Sequence, residues 1–260
     1  MHPPTTGDPA APPTSPPAPV PPAAAAAELV AAGRVLTHAG LIEGFGHLSV
    51  RLDDDTCLIT PQKPPVLATA DECCVLRLDG TKLDGTGDPP AEAVLHLAAY
   101  AARREVRAIS RTHPPSILAF STLGRTLPVL HGLGAFVGDL PLHTDHLLTT
   151  TTAQAERVVT DLGAHGVILR GNGLVTLGST LAEAVVRSFW AAEAARFYLD
   201  AAAAALPTAY TPEQVQERDD PAYRRADRTG GWKQPHSPFD RAWDYYRWRY
   251  ETPSAQGTER

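Results

Sequence analysis

The sequence predicts an α/β domain built on a central, mostly antiparallel sheet. Short apolar runs closed by turn residues recur at 48–52, 57–60 and 74–78, the pattern of antiparallel neighbours joined by tight connections. Segments with apolar residues at helical spacing are interleaved with them, notably 91–103 and 180–204. Gly171-Asn172-Gly173 separates two further apolar runs by the length of a hairpin turn.

Taken in order, residues 1–22 hold ten prolines and little apolar surface, so they are read as a disordered tail outside the domain. The Ala-rich stretch 23–39 reads as a helix with Leu29, Val30 and Leu36 buried, ended by Gly40 in the left-handed conformation. Strands at 48–52 and 57–60 flank the Asp53-Asp54-Asp55 turn, and a third at 74–78 is closed by Asp79-Gly80. A loop at 85–90 precedes the helix 91–103, which places Leu95, Ala99 and Ala102 on one face. The strand 106–112 runs into Pro114-Pro115 and a helix over 116–123, so strand end and helix start meet at His113. A helix at 152–162 precedes strands at 167–170 and 174–177. Thr180-Leu181-Ala182-Glu183 is a capping box opening a helix to about 204, stopped by Pro207. The domain is therefore drawn at 23–206 and a C-terminal extension at 207–260. In that extension the aromatic segment 239–251 reads as a helix with Trp243, Tyr246, Arg247 and Tyr250 along one side.

Composition limits the partners. A net charge of -6 with no long basic run argues against nucleic acid and anionic membrane surfaces, and no apolar run reaches spanning length. A small molecule or a protein partner is the expected ligand. Cys57, Cys73 and Cys74 are odd in number and lack C-x-x-C spacing, and no Lys or Arg precedes Arg34, so a reducing, cytoplasmic setting is expected. The Ala, Pro and Arg content suits a high-GC bacterial genome and a role in specialised metabolism.

Four separated segments together resemble the class II aldolase/adducin family. Gly46-His47-Leu48-Ser49-Val50-Arg51, followed by Leu58-Ile59-Thr60-Pro61, is similar to its G-N-x-S-x-R phosphate loop. Pro89-Pro90-Ala91-Glu92 with Leu95-His96 and Tyr100 resembles P-S-S-E and the helix after it. Arg111-Thr112-His113-Pro114 resembles the H-x-H-P zinc segment, and Leu169-Arg170-Gly171-Asn172-Gly173-Leu174 the N-H-G-L turn. The resemblance runs from about Ala25 to Leu206 and implies an α/β/α layered fold, a homo-oligomer, by family habit a tetramer, and a pocket between subunits.

In catalytic members of that family zinc held by three histidines stabilises an enediolate while a glutamate moves protons. The resemblance aligns the histidines with Arg111, His113 and Asn172, and the glutamate with Glu92. Arg111 cannot ligate zinc and Asn172 is a poor ligand, so the family's metal centre is not expected and no cofactor is implied. Zinc or another divalent ion would need a relocated site drawn from His113, His131, His143 and His146, although the 143–146 cluster is equally read as a polar loop. The phosphate-loop positions make His47, Ser49 and Arg51 candidate substrate contacts. Pro90 and Ala91 replace two serines, which argues against a sugar phosphate. Arg111 would then clamp a carboxylate, or else pair with Glu92 and fill the vacated metal pocket.

A neighbour's C-terminal tyrosine often donates a proton in the family. Tyr246, with Tyr245 and Tyr250, is the candidate here, interface packing being the alternative. Two functions stay open. One is an aldolase-like lyase, decarboxylase, dehydratase or epimerase working through an enol(ate) of a non-phosphorylated hydroxy or keto acid, with Glu92, His113, Arg111 and Asn172 as its catalytic groups. The other is a non-catalytic scaffold of the adducin-head type.

Overall fold

The computed structural model describes residues 22–205 and 238–250. The expected tail, the stop at Pro207 and the linker before the aromatic helix lie outside the described residues, Pro22 excepted. The chain begins with α1 (Pro22–His38), β1 (His47–Arg51), β2 (Thr56–Ile59), β3 (Cys74–Arg77), β4 (Lys82–Asp84) and α2 (Ala93–Ala102). It continues through β5 (Ala108–Thr112), α3 (Pro115–Ser121), β6 (Leu142–His143), α4 (Thr152–Thr160), β7 (Gly166–Leu169), β8 (Gly173–Gly178), α5 (Leu181–Ala205) and α6 (Pro238–Tyr250). The strands form one sheet in the order β4-β3-β2-β1-β5-β8-β7-β6, antiparallel throughout except for the β6–β7 pair.

Alternation along the strands builds two cores. Leu48, Leu58, Ile168 and Leu174 face α1, α3, α5 and α6, whereas Ile59, Ile109, Val175 and Leu177 face α2 and α4. The result is the α/β/α layering that the resemblance implied. Gly40 adopts φ +72 just past α1, as a left-handed terminator does.

Differences are local. Strands β4 and β6 carry no alternating apolar signal, because β4 is wholly exposed and β6 is two residues long. Helix α2 starts two residues later than its pattern suggested, since the Ala93 N–H bonds Pro90 and the chain turns there before winding. Helix α6 docks on its own chain. Phe239 and Trp243 are buried, Tyr246 stacks on Phe189 of α5 at 3.7 Å, and Arg247 pairs with Glu28 of α1 at 3.1 Å. Each of those two buried aromatic side chains contributes about 1.5–3 kcal/mol through its apolar surface.

Candidate active site

β1 and β5 lie side by side in the middle of the sheet, and their register sets His47 directly opposite Arg111 on the face covered by α2. Glu92 occupies the residue before α2 and completes the group. Its Oε2 lies 3.4 Å from Arg111 Nη2 and 3.5 Å from His47 Nε2, and its Oε1 accepts from the Thr149 N–H at 3.4 Å.

Two periodicities meet below this point. Glu92, His96 and Tyr100 recur every four residues along the helix line, while His47, Ser49 and Arg51 recur every two along β1. Four helical residues rise about 6 Å and two strand residues about 6.6 Å, so the two rows stay in step. His47 Nδ1 and His96 Nε2 are 2.7 Å apart, His96 Nδ1 and Ser49 Oγ 2.6 Å, and Ser49 Oγ and Tyr100 Oη 2.8 Å. Arg51 closes the row, with its guanidinium 4.8 Å from the Tyr100 ring centroid and bonded to the backbone carbonyls of Val106, Asp54, Tyr100 and Arg103.

Burial alone would raise the Glu92 carboxyl, but the His47 ring and the Arg111 cation outweigh it and hold the group down to about 2. His47 and His96 are pushed down by burial, and His113 is lowered to about 4 by burial and then by the Arg111 charge. The site therefore holds neutral imidazoles around an ionised carboxylate and a guanidinium. His47 and Glu92 open onto a cavity of about 490 Å³ whose walls include Phe45, Pro64, Pro90 and Leu148, with Lys63 at its edge. Lys63 itself holds Glu72 at 2.8 and 3.0 Å.

The residues singled out from sequence divide into three groups. Glu92, Arg111 and His47 converge, and His113 adjoins them with its Nδ1 3.1 Å from the Phe45 carbonyl. Asn172 is half-buried in the β7–β8 turn beside Gly173, at which a Cβ would lie 3.0 Å from Arg111 Nη1 and 2.3 Å from the Thr112 carbonyl. With φ +92 and no room for a side chain, that glycine lets the turn close over Arg111.

Several candidate substrate contacts lie away from the cavity of their own chain. Ser49 and Arg51 lie beneath the site, buried and engaged with His96, Tyr100 and backbone carbonyls, so they do not face the cavity. Tyr246 sits in the opposite helical layer against Phe189 and does not reach the site of its own chain. Arg111 is 0 % exposed behind Glu92, so a ligand carboxylate cannot clamp it without displacing its partner. His96 and Lys63 were not singled out from sequence. The four-residue spacing of Glu92, His96 and Tyr100 was the signal that could have found His96.

The family's zinc does not fit these residues. A buried guanidinium stands in the first ligand's place, its Nε and Nη2 lack hydrogen-bond partners among the described residues, and a dication beside it would be repelled. The alternative histidines do not gather either: among the described residues no group of three His, Cys, Asp or Glu side chains is disposed to hold a metal. His143 bonds Asp161 at 2.7 Å, His131 packs edge-on against Phe197, and His146 is exposed. The three thiols are free and buried, and no helix among the described residues is long and apolar enough to cross a membrane.

Comparison with known proteins bears on the family and the fold. A 3,4-dihydroxyphthalate decarboxylase from Terrabacter sp. (strain DBF63) is 31% identical over 207 residues, covering 72% of this chain and 85% of the relative. One of the same name from Rhodococcus jostii (strain RHA1) is 30% identical over 185 residues, or 65% of this chain and 76% of the relative. An aldolase II superfamily protein from Pseudomonas syringae superposes with a TM-score of 0.70 at 24% identity, covering 88% of this chain and 92% of that one, and so speaks for the fold. The Class II Aldolase and Adducin N-terminal domain matches residues 27–199, and the chain belongs to that family.

Proposed function

We propose that the protein is a carbon-carbon lyase of this family that decarboxylates a small, non-phosphorylated hydroxy acid with a planar, apolar body, without the family's zinc. The observation that carries this reading is the ionised Glu92, held between Arg111 and His47 at the edge of an apolar cavity that lacks the serine donors a phosphate would need. The relatives named 3,4-dihydroxyphthalate decarboxylase support the reaction type and the aromatic class of acid.

Lys63, whose side chain is 37 % exposed, would swing from Glu72 to meet the substrate carboxylate, a move not open to the fully buried Arg111. That second negative charge raises the proton affinity of Glu92, so a carboxylate kept ionised in the empty site becomes an effective base on binding. Glu92 takes the proton of a hydroxyl conjugated to the carbon that bears the carboxylate, and returns it to that carbon. The bond to the carboxylate then breaks, CO2 leaves, and the electron pair restores the conjugated system as a phenolate or enolate. Arg111 and the His113 ring supply fixed positive charge and a dipole beside the charge that develops.

A panel of hydroxybenzoates, dihydroxybenzoates and aliphatic keto acids, assayed for CO2 release after chelation, tests the proposal. Turnover is expected on an aromatic hydroxy acid, and Glu92→Gln should lower kcat by about 10²–10⁴-fold. Turnover that is indifferent to Glu92→Gln, or one zinc per chain retained through chelation and required for activity, would refute it.

A further inference from the structure

The buried row behind Glu92 has a direction. A neutral imidazole carries one N–H and a hydroxyl donates one proton, so the direction of the His47–His96 bond fixes the direction of the bond between His96 and Ser49. In the inward arrangement the Tyr100 hydroxyl donates to Ser49, Ser49 to His96 Nδ1, and His96 Nε2–H to His47 Nδ1. His47 is then left with its proton on Nε2, aimed at Glu92 across 3.5 Å. In the outward arrangement His47 Nε2 would present a lone pair to a carboxylate. Either the Ser49 or the Tyr100 proton would meanwhile have to find another acceptor, and both residues are 0 % exposed. Both ends of the row therefore favour the inward direction.

We propose that His96, backed by Ser49 and Tyr100, is a positioning residue that locks His47 in the Nε2–H tautomer, so that His47 serves as the donor that orients Glu92 and keeps it ionised. His96 touches neither cavity nor substrate and acts only through His47. The burial that lowers both imidazoles keeps them neutral, which the single-proton logic requires.

The catalytic consequence rests on the function proposed above, while the tautomer lock does not, and the test separates them. Histidine ring 15N NMR on the full chain near neutral pH should show His47 protonated at Nε2 only. Ser49→Ala, which removes the donor to His96 Nδ1, should produce a mixture of tautomers at His47, and Tyr100→Phe a smaller admixture. His96→Leu should release His47, and His96→Gln should restore the lock, because its amide nitrogen can donate where Nε2 did. On an active substrate, His96→Leu should cost about tenfold in kcat with KM little changed and move the acid limb of the pH profile upward, with His96→Gln recovering most of the loss. An Nδ1–H or imidazolium His47 in the unaltered protein, or a His47 tautomer unmoved by Ser49→Ala, overturns the proposal. Failure to find any substrate would count against the proposed function, while the lock would still stand or fall on the NMR spectra alone.

Discussion

Two regions of this chain bring two imidazoles and a carboxylate close together, and they behave differently. His143, Asp145 and His146 are neighbours in sequence, yet each turns to its own surroundings. His143 bonds Asp161, Asp145 pairs with Arg157 at 3.0 Å, and His146 is exposed. His47 and His96 are 49 positions apart, yet they form a buried contact of 2.7 Å that ends on Glu92. Residues close along an extended segment point to different sides, whereas a strand and a helix laid together align whole rows of side chains. Closeness in the chain is therefore a poor guide to convergence, and matched spacing on two packed elements is a better one.

Three measurements would break or sharpen this contrast. The largest stability effect should come from Arg111→Leu, which strips Glu92 of its cation. Breaking a buried pair by removing one partner costs about 3–5 kcal/mol. Urea unfolding should register the loss, and a double variant with Glu92→Gln should recover part of it. Unchanged unfolding in Arg111→Leu would mean that the pair is not the element holding the site together.

The second effect concerns acid. Glu92 has a folded value lowered to about 2, so its contribution is fully present above the ordinary carboxylate range and is lost as pH falls from there toward 2. His113 has a folded value of about 4, below its ordinary 6.5, so stability already declines as pH falls from 6.5 to 4. Unfolding midpoints measured from pH 8 downward should fall in these two windows. His113→Gln should make the upper fall shallower without abolishing it, because burial also lowers His47, His96 and His165, and Glu92→Gln should flatten the lower window. The smallest effect should come from the 143–146 loop. His143→Ala should cost about 1–2 kcal/mol, because the buried ring loses one hydrogen bond to an Asp161 that is 44 % exposed and rehydrates, and should leave turnover unchanged. A larger loss, or a loss of activity, would give that loop a role the contrast denies it.

Much of the fold was legible in the sequence. Strand alternation, the capping box at Thr180, the terminator Gly40 and the hairpin at Gly171-Asn172-Gly173 are local signals, and each led to an element that forms. Strands β4 and β6 were not legible, since an exposed edge strand and a two-residue strand carry no periodic pattern. At the site, the motifs that resemble the family's pointed to Glu92, Arg111 and His113, and the structure brings these three side chains close together. That Ser49 and Arg51 would be buried could not, because their polar side chains read as ligand contacts until their partners on α2 are known.

The sequence by itself determined the types of groups available: a carboxylate at Glu92, a guanidinium at Arg111 and imidazoles at His47, His96 and His113. Only the tertiary structure decided their arrangement. It set Arg111 behind Glu92 rather than in the cavity, turned Tyr246 away from the site of its own chain, and lined up His47, His96, Ser49 and Tyr100 into one directed row. The reason is that side-chain chemistry is written residue by residue, whereas burial and hydrogen-bond direction are properties of pairs of elements. Those properties exist only once sheet register and helix packing have brought distant segments into step.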